Sequence, residues 1–221
     1  MYRILLFLLL SNILFSQKGW IKTYGADEAD GSNHVLVLND GYLITGFTKS
    51  FGNGGNDLWI IRTDINRKEL WNRFYGGMSM ETGYEAIQTK DNGFIILAQT
   101  YSFGAGSSDI WIVNIDSDGN KLWDKTYGTE RVDIGYDICQ ANGGGYIIVG
   151  MTISSKTNSP DAYIVKIDSI GNTIWTKTYG GVDIDGVSSI SPIKDDYGYI
   201  CLLYTSPSPR DLSTARMPSS A

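Results

Sequence analysis

A short phrase built on a tryptophan and a Tyr-Gly pair recurs along the chain and constrains its fold more than any other feature. It reads Trp20-Ile21-Lys22-Thr23-Tyr24-Gly25, Trp71-Asn72-Arg73-Phe74-Tyr75-Gly76, Trp123-Asp124-Lys125-Thr126-Tyr127-Gly128 and Trp175-Thr176-Lys177-Thr178-Tyr179-Gly180. The tryptophans step by 51, 52 and 52 residues (71 − 20, 123 − 71, 175 − 123). A fixed period of this size means one supersecondary unit used repeatedly, each copy needing a neighbour to bury its apolar surface.

The unit reads as four strands. In the copy over 77–128, Tyr84 to Thr89 forms a first strand and ends at Asp91-Asn92-Gly93, a tight-hairpin signal because Asn and Gly tolerate positive φ. Residues 94–100 and 110–115 are nearly continuous apolar runs, as expected of strands covered on both faces. Residues 121–127 alternate polar and apolar, as at an outer edge, where Lys121 and Lys125 discourage edge-to-edge pairing. Each copy keeps further landmarks. Asp57, Asp109 and Asp161 open the third strands, two of them followed by Trp59 and Trp111, and Thr48, Thr100 and Thr152 close the second strands. All six tryptophans fall at repeat positions, so packing between units explains the aromatic ladder without a ligand.

Units of this length and strand content fit the blades of a β-propeller: all-β, antiparallel, four strands per blade. A parallel β-helix would have shorter coils, and separate β-sandwiches would be longer. The array starts out of phase, with a fourth strand at Trp20, the arrangement by which propellers close their ring. Repeats lie near 26–76, 77–128 and 129–180, with an incomplete one over 181–200. About three and a half blades are fewer than the four to eight of a closed ring. Residues 17–200 are therefore expected to be part of a propeller whose remaining blades lie elsewhere.

The two ends differ from the repeat. Arg3, the apolar run from Ile4 to Leu10 and from Ile13 to Phe15, and the small Ser16 read as a signal peptide over 1–16. After its cleavage no membrane insertion is expected, because the run is short for a span. At the other end, Leu203-Tyr204-Thr205-Ser206-Pro207-Ser208-Pro209-Arg210-Asp211 and Arg216 to Ala221 resemble translated adapter or vector sequence. Residues 201–221 are thus expected to be a non-native or disordered tail, with Cys201 inside it. The other cysteine, Cys139, sits in an apolar stretch and reads as a buried small hydrophobe, so no disulfide framework follows.

A net charge of −6 argues against nucleic acid, whose phosphates need a basic face. No catalytic, phosphate-binding or metal-spaced motif is visible, and no cofactor is expected. The single histidine, His34, has no counterpart in other copies and reads as structural. Asp116-Ser117-Asp118-Gly119-Asn120 has the start of a calcium loop but lacks its distant Glu, and reads as a turn. One constellation stands out: six residues beyond each phrase Tyr lies an acid, Asp30, Glu81, Asp133 or Asp185. At the entry to inner strands these could ring one mouth of the channel and hold a cation such as Ca²⁺. The plainer reading is that each carboxylate accepts backbone N–H bonds and pins its blade to the next. The longer connections, after Tyr-Gly and between strands two and three, fall on that same face, where binding on a rigid scaffold is expected.

The phrases Gly144-Gly145-Tyr146-Ile147-Ile148-Val149-Gly150-Met151-Thr152, Asp109-Ile110-Trp111-Ile112 closing at Asp116, and Gly171-Asn172 leading through Trp175 to Gly180-Gly181 resemble repeats of secreted bacterial β-propeller proteins. They are also similar to the broader quinoprotein-like propellers. The Phe15-Ser16-Gln17 ending resembles exported proteins of the Bacteroidetes type. The resemblance implies a secreted, periplasmic or cell-surface protein, acting as a binding scaffold for carbohydrate or protein. Two other classes stay open: a fragment of a propeller enzyme, either a dehydrogenase or polysaccharide-active, and a purely structural array.

Overall fold

The computed structural model describes residues 21–153, 158–193, 198–205 and 216–217. Trp20, the segment expected to be a signal peptide, and most of the expected tail lie outside the described residues. Every regular element among them is a β-strand. The first blade contains β1 (Asp30–Leu38), β2 (Gly41–Thr48), β3 (Asp57–Asp64) and β4 (Glu69–Tyr75). The second contains β5 (Glu81–Gln88), β6 (Phe94–Thr100), β7 (Asp109–Ile115) and β8 (Lys121–Tyr127). The third contains β9 (Asp133–Gln140), β10 (Tyr146–Ile153), β11 (Pro160–Ile167) and β12 (Thr173–Tyr179). A fourth sheet has β13 (Asp185–Pro192), β14 (Tyr199–Thr205) and β15 (Arg216–Met217). Each sheet runs in sequence order with antiparallel neighbours, which is the blade of an incomplete β-propeller.

The burial pattern follows from position in the blade. The middle strands β6 and β7 are buried almost throughout, whereas β4, β8 and β12 are largely exposed or half-buried on the outer edge. Trp59 and Trp111, on third strands, are buried, but Trp71, Trp123 and Trp175 on fourth strands are only half-buried. Full burial of an aromatic, about 150–250 Å² removed from water, therefore applies to Trp59 and Trp111 alone among the five described tryptophans.

Each blade has two apolar faces, and each sandwich between blades is one layer of core. Leu43, Leu58 and Ile60 of the first blade pack on Phe94, Ile96, Trp111 and Val113 of the second. Ile95, Leu97, Ile110 and Ile112 on the opposite face of the second meet Ile138, Tyr146, Ile148 and Val165 of the third. Ile147, Val149, Ala162 and Ile164 then meet Val187, Ile190, Tyr199 and Cys201. Alternation along one strand thus serves two interfaces at once, and for that reason β10 reads as a continuous apolar run.

The structure moves one boundary. The repeat does not stop at Ile200: β14 continues to Thr205, with Thr205 opposite Asp185. The same pairing joins Thr48 to Asp30, Thr100 to Glu81 and Thr152 to Asp133. Cys201, expected in the tail, is buried 1% exposed in the same cluster as Cys139, and both thiols are free. The physical reason is the strand period: Tyr199, Cys201 and Leu203 keep the apolar alternation that faces the third blade.

Candidate functional site

The acids six residues beyond each phrase Tyr begin the first strands β1, β5, β9 and β13, and each folds back on the turn that precedes it. Glu81 accepts bonds from Gly77 N at 2.7 Å, Thr100 Oγ1 at 2.9 Å and Ser102 N at 3.2 Å. Asp133 accepts from Thr129 N at 2.6 Å, and Asp185 from Gly181 N at 3.0 Å. Asp30 accepts from Ala26 N, Thr48 Oγ1 and Ser50 Oγ. Burial pulls the Asp30 carboxyl upward, but these bonds outweigh it and hold it at about 2. Glu81 and Asp133 are fully buried.

The third-strand acids approach the same junction from the preceding blade. Asp57 accepts from Asn53 N at 3.1 Å and Asp109 from Gly106 N at 3.0 Å, closing their loops. Burial pushes both carboxyls up, and the neighbouring Glu81 and Asp133 add to the rise. Between each pair of acids sits the glycine of the Tyr-Gly pair. A Cβ on Gly76 would stand 1.9 Å from Asp57 Oδ1 and 2.5 Å from Glu81 Oε2, and one on Gly128 would stand 2.3 Å from Asp109 Oδ1 and 2.6 Å from Asp133 Oδ2. The glycine is therefore dictated by two converging carboxylates. Among the described residues no group of three or more His, Cys, Asp or Glu is placed to hold a metal ion. The turn over Asp116–Asn120 closes on itself, with Asp116 accepting from Asp118 N and Asn120 N, and Asp168 doing the same for Ile170 N and Asn172 N.

A second constellation lies four residues further along each inner strand. Pairing to the second strand slips at Ser32/His34, Gly83/Glu85, Gly135/Asp137 and Val187/Ser189, which makes a β-bulge in every blade. Bulges re-aim side chains. Here they present Asn33-His34, Tyr84-Glu85, Tyr136-Asp137 and Ser188-Ser189 at equivalent places. Neighbouring blades are tied through these residues. Asn33 Nδ2 donates to the Gly83 carbonyl at 2.9 Å, and Glu85 Oε2 accepts from Ile138 N at 3.2 Å. Asp137 Oδ2 accepts from Ser189 Oγ at 2.8 Å and Ile190 N at 2.7 Å. Burial, reinforced by the adjoining Asp137 carboxylate, pushes Glu85 up to about 8. Half-buried His34 is held below its ordinary value by burial, with Asp137 pulling the other way.

Tyrosines accompany this line. Tyr84 donates to Gln99 Oε1 at 2.8 Å, and Gln99 in turn to Ser108 Oγ at 2.9 Å. Burial raises the Tyr84 phenol, and the phenols of Tyr101 and Tyr136 raise it further. Tyr101 and Tyr136 are 45% and 43% exposed. Sequence reading missed the bulge residues because the column His34, Glu85, Asp137, Ser189 holds four different residue types. The available signal was that all four are polar in the middle of a strand.

The long connections meet between blades on one face: Gly55 N donates to the Ser79 carbonyl, Glu81 N to Asn56, and Asp133 N to Ser108. Loop phenylalanines anchor there, Phe51 lying 6.0 Å from Trp59 and Phe103 5.4 Å from Trp111 between ring centroids. A cleft of about 440 Å³ lies in front of the first blade, lined by Val35, Tyr42, Ile44, Trp59 and Ile61. The matching face of the second blade receives Leu43, Leu58 and Ile60, so this cleft has the character of a seat for another blade.

No protein-family model and no curated protein matches the chain. Among solved structures it is similar to a protein of unknown function from Bacteroides caccae, with a TM-score of 0.51 and 11% identity, over 89% of this chain and 64% of that one. A weaker similarity, with a TM-score of 0.42 and 15% identity, is to a "putative exo-beta-1,3-galactanase" from Bifidobacterium bifidum, over 72% of this chain and 56% of that one. The chain spans less than two thirds of either structure. The first likeness is one of fold: successive four-stranded antiparallel blades.

Proposed function

We propose that the chain is part of an exported β-propeller that works as a binding module, and that it binds on the face carrying its long connections. The observation that carries this reading is the exposure of Tyr101, at the start of a long connection, and of Tyr136, on the first strand of the third blade, at 45% and 43%. Exposed aromatic rings with hydroxyl groups offer a stacking surface and hydrogen bonds together, which suits neutral carbohydrate or a protein loop. A net charge of −6 disfavours polyanionic ligands. The export part of this reading is supported by the signal-peptide-like character of residues 1–16, and would put the molecule in the periplasm, at the cell surface or outside the cell.

The test is a glycan array and a titration of the array's best neutral oligosaccharide against the 221-residue chain, repeated with Tyr101→Ala and Tyr136→Ala. Loss of tenfold or more in affinity on either change is expected of an aromatic contact at a binding centre. Unchanged affinity in both variants, or no neutral glycan bound, overturns the carbohydrate form of the reading.

A polysaccharide-cleaving role has one observation in its favour, the carboxyl pair Glu85–Asp137, since glycoside hydrolysis uses two carboxyls. Asp137 Oδ1, however, accepts from Ile138 N at 2.7 Å while its Oδ2 holds Ser189 and Ile190. With both oxygens committed to the fold, the pair favours a structural role.

A further inference from the structure

We propose that Glu85 and Asp137 form a proton-dependent latch between the second and third blades, closed while the pair shares one proton and released when that proton is lost. The geometry is that of a joint. Glu85 stands on β5, directly after the bulge, and reaches across to Ile138 N on β9 at 3.2 Å. Asp137, directly after the bulge of β9, caps that same amide and reaches on to Ser189 Oγ and Ile190 N of β13. One carboxyl pair thus touches three successive inner strands. Two amides and one hydroxyl donate to the pair, while burial and the adjoining Asp137 carboxyl keep the proton on Glu85.

Among the described residues neither Glu85 nor Asp137 has an ion pair to a cation. From β1 comes His34, which burial holds below its ordinary value while Asp137 pulls the other way. From β9 and β14 come the thiols of Cys139 and Cys201, pushed up to about 12 and about 11, first by burial. The phenol of Tyr136 is likewise raised by burial, and β13 contributes the uncharged Ser189. Losing the shared proton therefore places two negative charges side by side in a half-buried seam, where like charges repel and desolvation is costly.

The direction of the effect follows from proton linkage. The folded chain holds the Glu85 proton up to about pH 8, whereas the unfolded chain releases it near the ordinary value of 4.5. Stability from the latch is thus full below about 4.5 and declines as pH rises towards 8, above which it is lost. Unlike Asp30 at the entry to β1, Glu85 gives a joint that is tightest in mildly acidic surroundings.

The test uses the full 221-residue chain and two readouts. Thermal unfolding followed by tryptophan fluorescence from pH 5 to 9 is expected to show a midpoint that falls up to about pH 8 and then levels. Glu85→Gln keeps a neutral hydrogen-bonding group and is expected to remove most of that fall, and to melt above the unsubstituted chain at pH 8. Equal pH slopes in the two proteins overturn the latch. Should the variant not fold, amide exchange at Ile138 in the unsubstituted chain decides. Protection, corrected for intrinsic exchange, should drop by about tenfold or more between pH 6 and 9, the equivalent of one pKa unit. Constant protection overturns the proposal.

Discussion

The Tyr127 hydroxyl donates to the Gly171 carbonyl at 2.7 Å, reaching from the outer strand of one blade into the hairpin turn of the next. Tyr75 makes the same bond to Gly119, and Tyr24 makes it to the carbonyl of Arg67 at 2.8 Å. The organising phrase therefore acts as a connector. Its Trp lies against the following hairpin, Trp71 Nε1 donating to the Ser117 carbonyl at 3.0 Å, and its Tyr closes on the turn glycine or the residue standing in its place. Its Gly makes room for two acids at Gly76 and Gly128 and for one at Gly25 and Gly180.

This connector predicts a contrast within one repeat position. Tyr127 is 6% exposed, and burial pushes its phenol well above the ordinary value, whereas Tyr179, in the same place on β12, is 46% exposed. Tyr127→Phe removes a buried donor and leaves the Gly171 carbonyl unsatisfied, which costs about 1–2 kcal/mol. Tyr179→Phe should fall within about 0.5 kcal/mol of the unsubstituted chain. Denaturant unfolding of the two variants checks the difference.

The hairpin turn gives a second prediction. Gly171 has φ +81°, and a Cβ there would meet Trp123 at 2.8 Å and Lys125 at 3.1 Å. Gly143 has φ +88° with nothing within 4 Å, and Gly181 has neither constraint. Gly143→Ala should cost about 1–2 kcal/mol for the left-handed backbone alone. Gly171→Ala should cost roughly 1–3 kcal/mol more through the clash with the indole. Gly181→Ala should be nearly neutral. Parallel unfolding curves for the three would show a graded series, and equal midpoints for Gly143→Ala and Gly171→Ala would remove the steric part of the argument.

Much of this was legible in the residues. The strands read over 94–100 and 121–127 coincide with β6 and β8, because apolar runs and edge alternation are properties of the strand itself. The turn at Asp116 was readable for the same reason. The bulges were not, since one extra residue in an inner strand leaves no periodic mark, and its consequence appears only where Glu85 meets the Ile138 amide 53 residues away. The strand-entry acids were found by their spacing, but only the fold shows how deep Glu81 and Asp133 sit and which amides they hold. The expected end at Ile200 rests on Cys201-Leu202-Leu203-Tyr204-Thr205 lacking the Gly that β2 and β10 carry at Gly46 and Gly150, whereas its apolar alternation fits the blade and β14 runs on to Thr205.

Acid sensitivity provides a third prediction, opposite in sign to that of Glu85. Asp30 is held at about 2 against an ordinary value of 3.8, through bonds that outweigh burial. Its stabilisation is present above about pH 4 and is lost as pH falls towards 2. Asp30→Asn should flatten the acid limb of a pH–stability profile while leaving the limb above pH 5 in place. A profile for the variant that still descends as steeply between pH 4 and 2 would mean that Asp30 does not contribute there.

The two outermost sheet faces give the last prediction. In front of the first blade Val35 and Val37 are 52% and 71% exposed, although Ala86, an equivalent inner-strand residue in the second blade, is 1% exposed. Behind the fourth sheet Ile200, Leu202 and Tyr204 are 53%, 60% and 65% exposed, whereas Ile147 and Val149 on the matching face of the third blade are buried. Exposed apolar faces of this kind drive association. The chain should therefore self-associate in a concentration-dependent way, as read by sedimentation velocity. Val37→Lys combined with Leu202→Lys should reduce that association while leaving the unfolding midpoint within about 2–4 °C, the shift that roughly 1 kcal/mol produces in a chain of this size. These positions touch none of the three inter-blade cores, so a large loss of stability would contradict the assignment of both faces as open. Unchanged association in the double variant would locate the contact elsewhere.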